Sequence, residues 1–145
     1  MIRTEKRLRL CGALLIAVLV FIWGNSILPG EVSQDFSDWV KSLLAPVFSG
    51  GGSDSGGSGL LRKIAHYTEF TVLGILLGWL FGMLRRGKLL PVGCGVTAAC
   101  VDETIQFFVP GRSPGLKDVV IDSLGVLTGL ILLWIGHTII KKKST

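Results

Sequence analysis

Seven polar side chains of this 145-residue chain stand inside strongly apolar stretches: His66, Glu69, Asp102, Glu103, Gln106, Asp118 and Asp122. Ionisable groups in such surroundings cost about 2.5 to 3.5 kcal/mol each on lenient insertion scales, so they are seldom decorative. Their spacings are helical: i, i+3 for His66 and Glu69, i, i+4 for Asp102 and Gln106 and again for Asp118 and Asp122. An imidazole with several carboxylates suits acid–base work. Glu103 or Glu69 would be the base, His66 its acid or base partner, and Asp102 or Asp118 the orienting or metal-binding group. The catalytic candidates are therefore His66, Glu69, Asp102 and Glu103. The same cluster with nearby cations suits ligand binding, with Lys63, Gln106, Arg112, Asp118 and Asp122 as the contacts and Arg62 and Lys117 as further phosphate-holding cations. The structural alternative is a salt-bridge network, Glu69 or Asp122 pairing with Arg62, Lys63 or Arg112, and Asp102 and Glu103 with Arg112.

Other chemistries fit less well. His66, Glu69, Asp102 and Glu103 would suit Mn, Fe or Zn, but their spacing matches no firm zinc or di-iron motif, and the second histidine, His137, lies far along the chain. No metal and no cofactor is expected. Ser113 and Ser123 lack the strand-to-helix elbow of a nucleophilic serine, and no phosphate-cradling loop is present. Cys11, Cys94 and Cys100 fall inside apolar stretches, where an odd number reads as small packing residues.

The elements that must position these groups are long apolar blocks. Hydrophobic residues make up 49% of the chain and charged ones only 17%, below the roughly 25% of a soluble protein. Mean hydropathy is +0.61. Four blocks are each long enough to cross a bilayer: about 8–28, 64–84, 89–109 and 119–140. The first covers about 31 Å at 1.5 Å per residue, longer than the apolar core of a signal peptide, and no A-x-A cleavage site follows. This excludes a soluble enzyme, a disordered tail and a disulfide-stapled secreted scaffold. The net charge of +5 does not indicate nucleic acid, because the basic residues cluster at the ends of the apolar blocks.

Those basic residues give an orientation. The N-terminal segment, the Arg85–Lys88 turn and the Lys141–Lys143 tail carry ten Lys and Arg, against five in the two opposite loops. The positive-inside rule then places both termini in the cytoplasm of a multi-pass protein of the cell membrane. All seven polar residues fall within roughly 10 Å of the outer interface. On the third span Gly95, Ala99, Asp102 and Gln106 share a face, and on the fourth Asp118, Asp122, Gly125 and Gly129 do. Gly125-x-x-x-Gly129 and Gly74-x-x-x-Gly78-x-x-x-Gly82 permit close helix approach.

In the outer loop, 29–63, Phe36, Trp39, Val40, Leu43, Leu44, Val47 and Phe48 keep the rhythm of an amphipathic helix, with Ser33 as its N-cap and Pro46 limiting its end. It lies in the headgroup plane or forms a lid on the bundle. Residues 49–59 read as a Gly/Ser linker. The expected architecture is all-α: one membrane domain over 1–145, an integral membrane four-helix bundle with an additional interfacial helix in the first outer loop.

The motifs Lys63-x-x-His66-x-x-Glu69, Asp102-Glu103-x-x-Gln106-x-x-x-Pro110-Gly111-Arg112 and Asp118-x-x-x-Asp122-x-x-Gly125-x-x-x-Gly129 resemble the VanZ-like membrane protein family. Asn25-Ser26-x-x-Pro29-Gly30, with Ser33 and Ser37, adds to the resemblance, which covers roughly residues 20–135. Asp122 departs from it, since Asn is common there. The resemblance implies an association with teicoplanin-type glycopeptide resistance and names no reaction. Membrane lipids are the expected partners, with a cell-wall precursor or glycopeptide as ligand; nucleic acid is excluded and a homo-oligomer is left open. Envelope-facing binding ranks ahead of a membrane enzyme on a lipid-linked substrate. Ion transport ranks last, because the cytoplasmic halves of the spans carry no relay of polar groups.

Overall fold

The computed structural model describes residues 2–44, 57–113 and 115–143, and within them the chain is all helical: α1 (Ile2–Ile27), α2 (Gly30–Leu44), α3 (Gly57–Met83), α4 (Leu89–Phe107) and α5 (Leu116–Lys143). Among the described residues three stretches are long and apolar enough to cross a membrane, Thr4–Ile27, Leu60–Met83 and Leu116–Lys142. The third block of the sequence reading becomes α4, a 19-residue helix that falls outside this group. Its length is adequate. Asp102, Glu103 and Gln106 in its last turns and Pro91 in its first dilute its apolar character. Pro91 costs little there, since first-turn N–H groups have no intrahelical partner.

The ends of the helices follow local chemistry. At the end of α3, Arg86 N–H donates to Phe81 O at 3.1 Å and Arg85 N–H to Gly82 O at 3.2 Å. This is the paired closure of a left-handed helix cap. Arg85 holds that position at φ 52°, where glycine is usual. Asp118 in the first turn of α5 and the lysines at its end complement the helix dipole. α2 begins at Gly30, with Ser33 N–H bonded to Pro29 O. Ser33 thus lies within the first turn and not at the N-cap; Pro29, which offers a carbonyl and no N–H, precedes the helix. Pro46, Val47, Phe48 and residues 49–56 of the expected linker lie outside the described residues, while 57–59 belong to α3.

α1 and α4 run one way, α3 and α5 the other. Trp23 Nε1 donates to Ala98 O at 3.5 Å, tying α1 to α4. The Cys11 thiol donates to Leu76 O at 3.6 Å, tying α1 to α3. The closest seam joins α3 to α5 through glycines. A Cβ on Gly125 would lie 2.6 Å from Tyr67 O, one on Gly129 would run into Thr71 O, and one on Gly74 into Val126 O. Gly78 faces the tips of Leu130 and Leu133, whereas Gly82, the last of the stripe, has nothing within 4 Å. Tyr67 and Thr128 hydroxyls share a hydrogen bond of 2.7 Å across the same seam.

The core is Ile22, Phe70, Leu73, Leu77, Ala98, Ala99 and Val126. Ile16, Val20, Phe21, Leu132, Trp134 and Ile139 are exposed on the outside, the distribution of a protein solvated by lipid rather than water. Arg7, Arg86, Lys88 and His137 line one groove at the end of the helices where α1 begins and α5 finishes. The carboxylates gather at the other end.

Gly129→Ala is expected to destabilise the detergent-solubilised chain by roughly 1–3 kcal/mol, because α3 and α5 must part to admit a methyl group. Gly82→Ala, from the same stripe, is expected to stay within about 0.5 kcal/mol of wild type. Thermal unfolding followed by circular dichroism measures both, and equal losses would refute the backbone contact.

Candidate functional site

Asp102 is the centre of the polar end. It is fully buried on α4 and both its oxygens are satisfied. The Ser26 hydroxyl donates to Oδ1 at 2.6 Å, and Gln106 Nε2, one turn along the same helix, donates to Oδ2 at 2.8 Å. Gln106 Nε2 also lies 3.4 Å from Ser26 Oγ, closing a three-residue network. The Trp23–Ala98 bond sets the register: one turn further along both helices, Ser26 meets Asp102.

His66 on α3 approaches from the other side. Its Nδ1 is 3.6 Å from Asp102 Oδ2 and 3.9 Å from Asp122 Oδ1. Asp122, fully buried on α5, accepts no hydrogen bond at either oxygen among the described residues. One potential ligand atom from each of His66, Asp102 and Asp122 lies within 4.8 Å of the others. The glycine seam explains this meeting, since Asp122 lies three residues, just under a turn, before Gly125 and His66 precedes Tyr67, which Gly125 touches.

Around this centre the other acids are tied down individually. Glu103 Oε2 accepts from Gly115 N–H at 2.8 Å, linking the end of α4 to the approach to α5, while Oε1 is left without a partner. Glu69 Oε1 accepts from Asn25 Nδ2 at 3.1 Å. Glu69, Asp102, Glu103 and Asp122 have no Lys or Arg among the described residues within 4.0 Å. The salt-bridge network considered from the sequence does not form.

Arg112 is the clearest correction. Instead of pairing with Asp102 and Glu103, it donates from Nη2 to Asn25 O at 2.8 Å and from Nε to Leu28 O at 3.1 Å. The last carbonyls of a helix lack intrahelical donors, and a guanidinium fork satisfies two acceptors at α1's end together. Burial first, and then Arg62, pull the Arg112 guanidinium below its ordinary value, while Asp102, Glu103 and Glu69 pull it back up. Its turn is held by backbone as well. Gly30 N–H donates to Pro110 O at 3.2 Å, Gly111 takes φ +74°, and a Cβ on Gly30 would strike the Gly111 carbonyl.

Of the other residues picked out from sequence, Lys63, His66, Glu103, Gln106, Asp118 and Asp122 line a single small cleft with Arg62 and Ile121. Its interior volume is about 10 Å³, room for roughly one water-sized species. Glu69 faces Asn25 instead, and Asp102, which does not line the cleft, meets two residues that do, His66 and Gln106. Sequence reasoning placed neither Asn25 nor Ser26 in the site. Both stand among the residues that carry the family resemblance, and two polar residues in succession at the end of an otherwise apolar span were the available signal.

A family model described as VanZ/LLP1 matches residues 11–139. Among curated proteins, the uncharacterized protein C11E3.10 of Schizosaccharomyces pombe is 31% identical over 77 residues, which cover 52% of this chain and 48% of the relative. The matched stretch is thus about half the length of that relative. No solved structure matches.

Ser26→Ala is expected to cost roughly 1–3 kcal/mol, because a buried carboxylate loses a donor. In an Asp102→Ala background the same change is expected to cost less than about 0.5 kcal/mol, the difference being the coupling of the pair. Thermal or denaturant unfolding of the four variants in detergent measures it.

Proposed function

The chain belongs to the VanZ/LLP1 family, and we propose that it is a four-span membrane protein whose outward-facing cleft binds the phosphate-bearing headgroup of a membrane lipid or lipid-linked cell-wall precursor, the binding that underlies an effect on glycopeptide (teicoplanin-type) susceptibility. In this reading α4 is the fourth span: 19 residues reach about 28 Å, close to the thickness of the hydrocarbon core. Its polar face is turned toward α1, α3 and α5, so lipid meets only the other side. Both termini are cytoplasmic by the positive-inside rule, and the groove lined by Arg7, Arg86 and Lys88 is the inner end. α2 then lies along the outer headgroup region beside α3.

The observation that carries the reading is the union of Arg62 and Lys63 with His66, Glu103, Gln106, Asp118 and Asp122 in one cleft at the acidic end. The cations offer charge-assisted hydrogen bonds to phosphate, and the carboxylates and amide select the polar groups attached to it. The interior admits only a water-sized species, so the headgroup docks at the mouth and the acyl chains stay in the bilayer. Catalysis on such a substrate is a second reading with one observation in its favour. Glu103 is fixed at Oε2 by Gly115 N–H and leaves Oε1 unpaired, the disposition of a general base.

The test is lipid retention. Wild type purified in mild detergent is expected to carry phosphate-bearing lipid detectable by mass spectrometry, and Arg62→Ala/Lys63→Ala several-fold less. In cells matched for membrane expression, the double variant is expected to lose any protection against teicoplanin. Equal retention and equal susceptibility in both proteins would overturn the binding reading. A lipid extract altered by wild type and unaltered by Glu103→Gln would establish the catalytic one.

A further inference from the structure

We propose that His66, Asp102 and Asp122 form a binding site for one divalent transition-metal ion of the Mn²⁺ to Zn²⁺ class. Three helices deliver one ligand each: α3 the imidazole, α4 and α5 the carboxylates. Nδ1 of His66 stands 3.6 Å from Asp102 Oδ2 and 3.9 Å from Asp122 Oδ1, and the three ligand atoms lie within 4.8 Å of one another. Bonds of about 2.1 Å separate tetrahedral ligands by roughly 3.4 Å, so an ion between them draws His66 toward each carboxylate by a few tenths of an ångström and the two carboxylates toward each other by up to roughly 1.4 Å, within reach of a side-chain torsion.

A second, independent observation points to a cation. Asp122 is fully buried, lines the cleft, and has both oxygens without a hydrogen-bond donor. A carboxylate so placed is costly unless something positive meets it. No Lys or Arg among the described residues comes within 4.0 Å, where His66 Nδ1, itself one of the three ligands, stands at 3.9 Å, and Gly125, less than one turn away, rests against α3 and sets the separation of the two helices there. Asp102 shows the opposite condition. Its oxygens are aligned by Ser26 and Gln106, the outer layer of hydrogen bonds that fixes a ligating carboxylate.

One nitrogen and two carboxylates select an ion that accepts both imidazole and oxygen, which disfavours Cu⁺ and ions wanting only oxygen. The cleft beside His66 and Asp122 has room for one water-sized species, leaving an open coordination position toward Arg62, Lys63 and Glu103. The set differs from the one the sequence suggested, because Glu69 is held by Asn25 and Glu103 by Gly115. It stands on ligand geometry and does not depend on headgroup binding, although both use the same cleft.

The experiment uses the full chain in detergent, stripped with a chelator, reloaded with Mn²⁺ or Zn²⁺, desalted and analysed for metal by mass spectrometry. Wild type is expected to retain about one ion per chain, and Asp122→Asn and His66→Gln a small fraction of that. Ser26→Ala, which leaves the three ligands intact, is expected to weaken affinity by about tenfold or more. Arg62→Ala/Lys63→Ala is expected to retain metal fully, which separates this site from the headgroup reading. Should the ligand variants fail to fold, wild type decides alone: Co²⁺ added to the stripped chain is expected to give visible d–d absorption that Zn²⁺ abolishes. Metal retention equal in wild type and Asp122→Asn, or no Co²⁺ absorption in wild type, would overturn the site.

Discussion

A carboxylate buried among apolar helices must bring its own hydrogen-bond donors, and the polar end of this protein is organised around meeting that demand for Asp102. Its donors come from two places, Ser26 on a different helix and Gln106 one turn further along its own. The first of these requires α1 to lie beside α4 in register to within a residue, and the Trp23 bond to Ala98 one turn earlier keeps it there. His66 then faces the same carboxylate from α3. In water any of these groups could turn to solvent. Within the helices each must find the others, so satisfying one residue positions three helices.

The second constraint is steric. α3 and α5 touch backbone to backbone through Gly74, Gly125 and Gly129. Close approach of this kind does not depend on the hydrophobic effect, which is weak between helices in lipid, but on dispersion contact and weak C–H···O interactions. It also sets distance. Because Gly125 rests on Tyr67 and Phe70, His66 and Asp122 are brought to within 3.9 Å of each other. Larger residues at the seam would hold the imidazole and the carboxylates apart and the cleft would lose its floor. Packing and chemistry are therefore one arrangement here, with the same glycines responsible for both.

Much of this was legible in the sequence because its signals are local and periodic. Apolar blocks gave α1, α3 and α5 to within several residues at most ends. Helical spacing placed Asp102 with Gln106 and Asp122 with Gly125 on common faces, and all four are buried. What could not be read was set by tertiary pairing. Arg112 was assigned to the nearest acids by charge, but the carbonyls of Asn25 and Leu28 at the end of α1 accept it instead, and no composition rule reports where a helix end will lie in space. Asn25 and Ser26 look like ordinary end-of-span residues until α4 stands beside them. The Ser33 cap failed because the helix already begins at Gly30, with the Pro29 carbonyl accepting the Ser33 N–H. α4 was ranked with the other spans on length, although the residues that make it interesting also make it less apolar than they are.

The contact between Gly30 and Gly111 couples two elements that are far apart along the chain. With no side chain between them and a hydrogen bond from Gly30 to Pro110, α2 is bolted at its first residue to the loop that leads, through Arg112, to the tail of α1 and, through Gly115, to Glu103. Displacing α2 at its first residue therefore requires the loop that carries Arg112 to move with it, because a backbone-to-backbone contact leaves no side chain to yield between them.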